Sequence, residues 1–204
     1  MSKEKYITGL IIEPNQYPRQ LKIEAKLEAY QKAVGGYIEC IDLPNGATII
    51  CNEEGKICGE KLNRILYDDT GKAVDVVAGT MVVVGFNPAD GSFVSMSAEQ
   101  SDEVIELFRF PDMFFKIDDT VHMINTNWQP FFEENALILT DRNTDEEKYR
   151  IPCKSESEQY RIYDFIVSNK SQIIRNISRD ITPIEISVSK EPISFDYDFY
   201  DEER

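Results

Sequence analysis

The chain has 204 residues, with 22 Lys and Arg against 37 Asp and Glu and a formal net charge of −15 at pH 7. Hydrophobic residues make up 42% of it and charged residues 29%, which provides enough apolar surface for a globular core and argues against wholesale disorder. The negative charge argues against direct binding to nucleic acid or to an anionic membrane, and it favours a cationic partner.

The N-terminal sequence and the cysteines predict a cytoplasmic protein. The apolar run YITGLII is too short for a signal peptide, and no segment approaches the roughly 20 apolar residues of a membrane-spanning helix. The four cysteines, Cys40, Cys51, Cys58 and Cys153, form no CxxC pair. We therefore interpret them as reduced thiols, most of them in packed structure.

Short strand and helix patterns follow one another in the first half of the chain. Strand patterns occupy residues 6–13 and 19–23, and a helix pattern at 25–34 ends at Gly35, which supplies a left-handed C-terminal cap. A strand pair at residues 37–52 turns at Asn45-Gly46. The segment LNRIL, residues 62–66, is predicted to form one short helical turn.

The apolar run AVDVVAGTMVVVGF, residues 73–86, predicts strand structure, in which Gly79 marks either a bulge or a break into two strands. Ser97 and Gln100 form a capping box, so a helix is predicted at residues 98–108. Together these patterns predict an α+β fold for residues 5–112, with helices beside a mostly antiparallel sheet.

Residues 113–189 predict a C-terminal α+β extension. Its elements are a hairpin at residues 136–140 and 147–151, a long helix within 157–178 and an edge strand at IEISVS, residues 184–189. The aromatic run at residues 108–115 is predicted to fill the seam between the two parts. Residues 190–204 form a third segment, an acidic and aromatic tail.

Several motifs in the first half occur in a characteristic order: LEAYQKAVGGYIECIDLP, then IICNEEGK, then LNRILYDDTGKAVDVVAGTMVVVG. This series resembles an uncharacterised family, the domain of unknown function 3846, over residues 5–112. The resemblance implies a protein of a bacteriophage or mobile element, and therefore a location in the host cytoplasm. It implies no activity, and residues 116–204 lie outside it.

No pattern in the sequence assembles a catalytic or metal centre, so we predict a protein without enzymatic activity, metal ion or cofactor. His122 is the only histidine. Asp118, Asp119 and His122 would share one turn of a helix, but they are too few for a stable metal site, and we interpret the segment as a solvated acidic loop. The motifs GxSxG, GxGxxG and GxxxxGK[ST] do not occur.

Asn63 and Arg64 are the strongest candidates for a ligand site, together with Asn52 and Glu53 of the CNEEG turn. A guanidinium beside an amide is suited to binding a carboxylate or a phosphate, which predicts a small-molecule or nucleotide site. The alternative is a structural arginine. In that case Asp75, inside the apolar run, is the predicted ion-pair partner of Arg64.

The tail alternates aromatic and acidic side chains, a pattern that does not suit a buried core. It is either a flexible terminus or a docking segment for a basic partner, with the candidate residues Phe195, Asp196, Tyr197, Asp198, Phe199, Tyr200 and Asp201. The sequence thus predicts a non-enzymatic interaction protein that binds a basic host or nucleic-acid-handling protein. The alternative is a protein that binds or sequesters a small molecule or nucleotide.

Overall fold

The computed structural model describes residues 5–68, 70–117, 119–180 and 182–188. Within these residues the fold is α+β, as the sequence predicts, and most strand pairs are antiparallel. None of the helices in the described ranges is long and apolar enough to cross a membrane. The predicted partner-binding residues at positions 195–201 lie outside the described part of the chain.

The helices are α1 (Leu27–Val34), α2 (Ala98–Phe108) and α3 (Glu156–Asn176). The strands, in chain order, are β1 (Tyr6–Ile12), β2 (Arg19–Glu24), β3 (Ile38–Asp42), β4 (Ala47–Asn52), β5 (Leu62–Tyr67), β6 (Ala73–Ala78), β7 (Met81–Asn87), β8 (Ser92–Val94), β9 (Asp112–Ile117), β10 (Thr120–Asn125), β11 (Trp128–Glu133), β12 (Ala136–Asp141), β13 (Glu147–Pro152) and β14 (Ile184–Ile186).

A seven-stranded sheet forms the centre of the N-terminal unit. Its strand order is β14-β2-β1-β7-β4-β3, and β8 pairs with β7 outside this path. Successive side chains of a strand point to opposite faces, so Val83 packs in the core that α2 covers and Val82 packs in the core that α1 covers. The sheet therefore separates two hydrophobic cores.

The predicted ends of the two short helices are confirmed. Gly35 follows α1 with φ 81°, and its N–H donates to the carbonyl of Gln31 at 2.8 Å. Ser97 precedes α2 and its side chain accepts the N–H of Gln100, while the Gln100 side chain accepts the N–H of Ser97. These bonds satisfy backbone groups that lack a partner within the helix.

The predicted helical turn at residues 62–66 is wrong, because this segment is strand β5. It pairs antiparallel with β6 as a separate two-stranded ribbon. The middle of β5 is buried, and the Asn63 side chain donates to the carbonyls of Ile12 and Gly79 at 2.8 and 2.7 Å. These nonlocal bonds hold the segment extended. Of the two alternatives predicted for Gly79, the structure shows the break, since this residue separates β6 from β7.

The C-terminal unit contains the hairpin β9–β10, the three-stranded sheet β11-β12-β13 and helix α3. The predicted hairpin β12–β13 and the long helix are confirmed, whereas β9, β10 and β11 were not predicted. Ile162 and Ile166 of α3 are buried in a third core with Trp128, Leu137 and Leu139.

The two units meet at the end of α2. Phe108 packs in the core beneath α2 and Met113 packs in the third core, so the aromatic run passes from one core to the other, in agreement with the predicted seam. The N–H of Thr126 donates to the carbonyl of Pro111 at 2.9 Å and extends the β9–β10 ladder beside this junction. The predicted edge strand is confirmed as β14, which returns to pair parallel with β2.

Candidate cation-binding cleft

Arg64 is buried, with 1% of its surface exposed, and each of its guanidinium nitrogens donates to protein oxygens. Nε and Nη2 donate to the carbonyl of Phe108 at 3.2 and 3.0 Å, and Nη2 also donates to the carbonyl of Gln16 at 2.6 Å. Nη1 donates to the carbonyl and to Oδ1 of Asn63 at 3.2 and 3.0 Å. The side chain thus ties the C-terminal end of α2 to the β1–β2 turn.

The predicted ion pair between Arg64 and Asp75 is wrong. Asp75 is exposed, and its Oδ1 lies 2.5 Å from Nζ of Lys56. In the register of the ribbon, Val77 lies opposite Arg64 and Leu66 lies opposite Asp75. Asp75 therefore remains hydrated on the outer part of β6. Burial lowers the pKa of Arg64 to about 10, which leaves the guanidinium charged at neutral pH.

Asn52 is buried at the end of β4, and Glu53 follows it at the surface. Nδ2 of Asn52 donates to Oε1 of Glu60 at 2.5 Å, and Oδ1 accepts the N–H of Glu54 at 3.0 Å. The backbone N–H of Glu53 donates to the carbonyl of Tyr37 at 2.8 Å. The Asn52 side chain thus stabilises the CNEEG turn, whereas Glu53 is exposed on the surface of that turn.

Glu60 brings Asn52 and Asn63 into one network. It contacts Gly79 closely, since a Cβ built on that glycine would lie 1.6 Å from Oε2 of Glu60. The carbonyl of Gly79 in turn accepts the amide of Asn63. The structure therefore brings three of the four predicted ligand-binding residues together around Glu60 and Gly79, and it directs their donors to protein oxygens.

His122 lies on strand β10, so the predicted solvated loop is wrong for this residue, whereas Asp119 does lie in an exposed turn. The ring is 6% exposed, stacks on Phe115 with 5.3 Å between centroids, and places Nδ1 2.8 Å from the hydroxyl of Tyr149. Burial lowers the pKa of His122. Asp119 pairs with Lys116 at 2.8 Å, and Asp118 is outside the described residues. Among the residues described, no group of three or more His, Cys, Asp or Glu could hold a metal ion.

A cleft of about 630 Å³ opens where the two units meet. Strand β3, the β5–β6 ribbon and the end of α2 form one side, and residues 125–148 of the C-terminal unit form the other. Its lining residues include one basic residue, Lys148, and six acidic residues, Glu39, Asp42, Asp75, Glu106, Asp112 and Asp141. Sequence reasoning missed this site because its residues come from six separate segments, and net charge was the only signal of it.

The carboxylates of the cleft differ in how they are compensated. Three have a basic partner within 2.6 Å: Asp75 with Lys56, Glu106 with Arg109, and Asp141 with Lys148. Glu39 and Asp42 of β3 form no ion pair with any described Lys or Arg. Asp42 Oδ1 accepts only the hydroxyl of Thr48, at 2.9 Å. The two side chains lie on opposite faces of β3: Glu39 is opposite Cys51 on the face that α2 covers, and Asp42 is opposite Thr48 on the face that α1 covers. Of the two, Glu39 therefore lies on the cleft side of the strand.

Two polar side chains at the floor of the cleft are more than nine-tenths buried. Asp112 is 5% exposed; its Oδ2 accepts the N–H of Ile65 at 2.7 Å, and no described donor reaches Oδ1. Burial raises the pKa of Asp112 to about 6, against the lowering effect of that bond and of Arg64. Asn127 is 8% exposed, and its side-chain amide makes no hydrogen bond within the described residues. The floor thus offers open acceptors and an amide donor.

Apolar side chains complete the walls of the cleft, among them Ile41, Leu66, Tyr67, Val74 and Leu107. Tyr67, Val74 and Leu107 are 49%, 60% and 59% exposed. Acidic groups between apolar walls suit a ligand with an apolar stem and a cationic end, such as a lysine or arginine side chain.

The first half of the chain matches a family model described as a domain of unknown function (DUF3846), over residues 7–109. The match covers β1 to β8 and both helices of the N-terminal unit, and it includes Glu39, Asp42, Asp75 and Glu106 of the cleft. No curated protein and no solved structure matches the chain.

Proposed function

The chain belongs to the domain of unknown function 3846 family, whose description states no activity, and we propose that it acts by binding a basic protein. The partner places lysine or arginine side chains in the acidic cleft, and no catalytic step is involved. We propose that the binding takes place in the host cytoplasm and that a phage or mobile element encodes the protein, as the family resemblance implies.

The excess of carboxylates over ammonium groups in the cleft supports this function most strongly. Carboxylates in a concave site with apolar walls act on one another and on a ligand through a medium less polarisable than bulk water. Glu39, which no described base neutralises and which lies on the cleft side of β3, would therefore gain most from a cationic ligand, and Asp42 on the other face adds attraction at longer range. A basic partner would also be steered toward a molecule of net charge −15.

A second candidate function is the binding of a small organic cation. The volume of about 630 Å³ lies within the range of small-molecule sites, and the unpartnered amide of Asn127 would orient such a ligand. Nucleotide binding, the other form of this alternative, is opposed by the negative lining of the cleft and by the burial of Arg64.

Fluorescence anisotropy with a labelled oligolysine peptide tests the proposal. We expect binding that weakens steeply between about 50 and 300 mM salt, since screening acts on exposed charges. The double substitution Glu39→Gln and Asp42→Asn should weaken it by about tenfold, a change that corresponds to about 1.4 kcal/mol.

The matched control is Glu134→Gln with Asp164→Asn, which removes the same charge from exposed positions that do not line the cleft. Equal weakening by the two double variants would contradict a role for the cleft. Binding that is insensitive to salt would contradict an electrostatic complex. Equal affinity for the peptide and for arginine amide would favour the small-cation alternative.

A further inference from the structure

Strand β3 is an open edge of the large sheet. Among the described residues it pairs with β4 on one side, and no strand pairs with it on the other. The carbonyl of Tyr37 accepts the N–H of Glu53, and the N–H of Leu43 donates to the carbonyl of Ala47. These two bonds show that the backbone groups of the odd-numbered residues point toward β4. Because the pattern alternates along an antiparallel strand, the N–H and C=O groups of Ile38, Cys40 and Asp42 point away from β4.

These outward-pointing groups have no hydrogen-bond partner within the described residues. An open edge is a template for another strand, and proteins commonly protect such edges with charged side chains. The charged residues of β3 are Glu39 and Asp42, both exposed and both acidic. They disfavour pairing with a second copy of β3 and favour a strand that carries positive charge.

The same strand forms one wall of the cleft, with the side chains of Glu39 and Ile41 on the cleft face. Alternate side chains of a strand share one face, so a strand added to β3 would direct every second side chain toward the cleft. The floor there contains Asp112, with one oxygen that no described donor reaches, and the unpartnered amide of Asn127.

We infer that the partner presents an extended basic segment that adds to β3 as an edge strand and places alternate lysine or arginine side chains in the cleft. This inference rests on the proposed function and specifies its geometry. Backbone hydrogen bonds to the groups at Ile38, Cys40 and Asp42 hold the segment, and the carboxylates select its charge.

Two peptides of equal charge separate strand addition from charge attraction alone. The first alternates lysine and valine, and the second has the same sequence with N-methyl groups on alternate backbone amides. N-methylation removes donors without changing the charge. We expect the methylated peptide to bind at least about tenfold more weakly, since several net-favourable hydrogen bonds are lost.

Substitutions at Cys40 provide an independent test on the protein side. Cys40→Pro removes an N–H that points away from β4, at an edge position where proline is tolerated, and Cys40→Ala keeps that N–H. We expect the proline variant to lose about tenfold in affinity for the unmethylated peptide and the alanine variant to bind as the wild type does. Circular dichroism and urea unfolding of both variants show whether the sheet is retained.

The outcomes distinguish the inference from the function on which it rests. Equal binding of both peptides, with loss of binding on Glu39→Gln and Asp42→Asn, would leave the acidic cleft as the binding site and overturn strand addition. If neither peptide binds at low salt, both strand addition and the proposed function are overturned. Preference for the unmethylated peptide that is unaffected by Cys40→Pro would place the added strand on another edge and overturn the assignment to β3.

Discussion

Arg64 and Asp112 are a buried cation and a buried carboxylate at the junction of the two units, and their surroundings give them different roles. Arg64 donates from all of its nitrogens to the carbonyls of Phe108, Gln16 and Asn63 and to the amide oxygen of Asn63. It is therefore committed to the scaffold. Asp112 accepts one bond, from Ile65, and retains an oxygen toward the cleft. Of the two, Asp112 is free to respond to a ligand or to pH.

The raised pKa of Asp112 gives stability a defined pH dependence. The folded value of about 6 exceeds the unfolded value of about 3.9, so the folded state binds this proton more tightly. The resulting stability is fully present below about pH 4 and is lost as the pH rises through 6. We expect the free energy of unfolding of the wild type, relative to Asp112→Asn, to fall by roughly 2 kcal/mol between pH 4 and pH 7.

Urea unfolding of both proteins at a series of pH values measures this difference. The asparagine oxygen can still accept the N–H of Ile65, and the subtraction removes the titration of all other groups. The control Asp164→Asn removes a carboxylate from the exposed side of α3, outside the cleft. A difference between the wild type and Asp112→Asn that does not change with pH would show that burial does not raise the pKa of Asp112.

At the level of elements, the sequence predicts the ends of a helix or strand where a few adjacent residues determine them. The capping box of Ser97, the glycine after α1 and the break at Gly79 each depend on a few adjacent residues, and each was predicted, the break as one of two alternatives. Strand β5 was missed because its extended form depends on bonds from Asn63 to Ile12 and Gly79 and from Ile65 to Asp112. Such nonlocal bonds leave no local periodicity.

The cleft could not be predicted for the same reason. Glu39 and Asp42 belong to β3, whereas Asn127 and Lys148 belong to the C-terminal unit, and only the packing of the two units brings them together. The sequence did predict an acidic protein with a cationic partner, which is a property of composition. The sequence predicts a ligand site at Asn63 and Arg64 because the residue types alone do not reveal whether the side chains are buried. Both side chains are in fact buried.

Gly79 offers a test of the junction between the ribbon and the large sheet. Its φ is +75°, and a Cβ there would meet Oε2 of Glu60. Gly91 has φ +70° with open space around a Cβ, so Gly91→Ala measures the backbone cost alone, about 1–2 kcal/mol. We expect Gly79→Ala to lower the free energy of unfolding by a further 1–2 kcal/mol, because Glu60 must move and its bond to Asn52 is lost.

Urea unfolding of the two glycine variants gives this comparison directly. Adding Glu60→Ala to Gly79→Ala should recover part of the additional loss, since it removes the side chain that the new methyl group meets. Equal destabilisation by Gly79→Ala and Gly91→Ala would mean that the network of Glu60, Asn52 and Asn63 contributes little to the junction.

On the scale of the whole molecule, the C-terminal end of the described chain returns to the N-terminal sheet. The side chain of Gln16 donates to the carbonyl of Asn176 at 3.2 Å and accepts the N–H of Ser178 at 2.6 Å. The N–H of Val188 donates to Oε2 of Glu24 at 3.1 Å, beyond strand β14. The sheet of the family-matched region is therefore completed by residues outside that match, which links the stability of the two units.

Two truncations isolate the contribution of β14. A chain that ends at Val188 keeps this strand, and one that ends at Asp180 lacks it; both lack residues 189–204, so their difference reports residues 181–188 alone. Loss of β14 exposes the backbone edge of β2 and removes the packing of Ile184 and Ile186 against the core beneath α1. We expect the shorter chain to be less stable by about 2 kcal/mol, from lost apolar burial and hydrogen bonds.

An uncovered edge also promotes pairing between molecules, so light scattering should show concentration-dependent self-association of the shorter chain only. Equal stability of the two chains, both monomeric, would mean that the six strands β1–β4, β7 and β8 form a self-sufficient sheet and that β14 does not stabilise it.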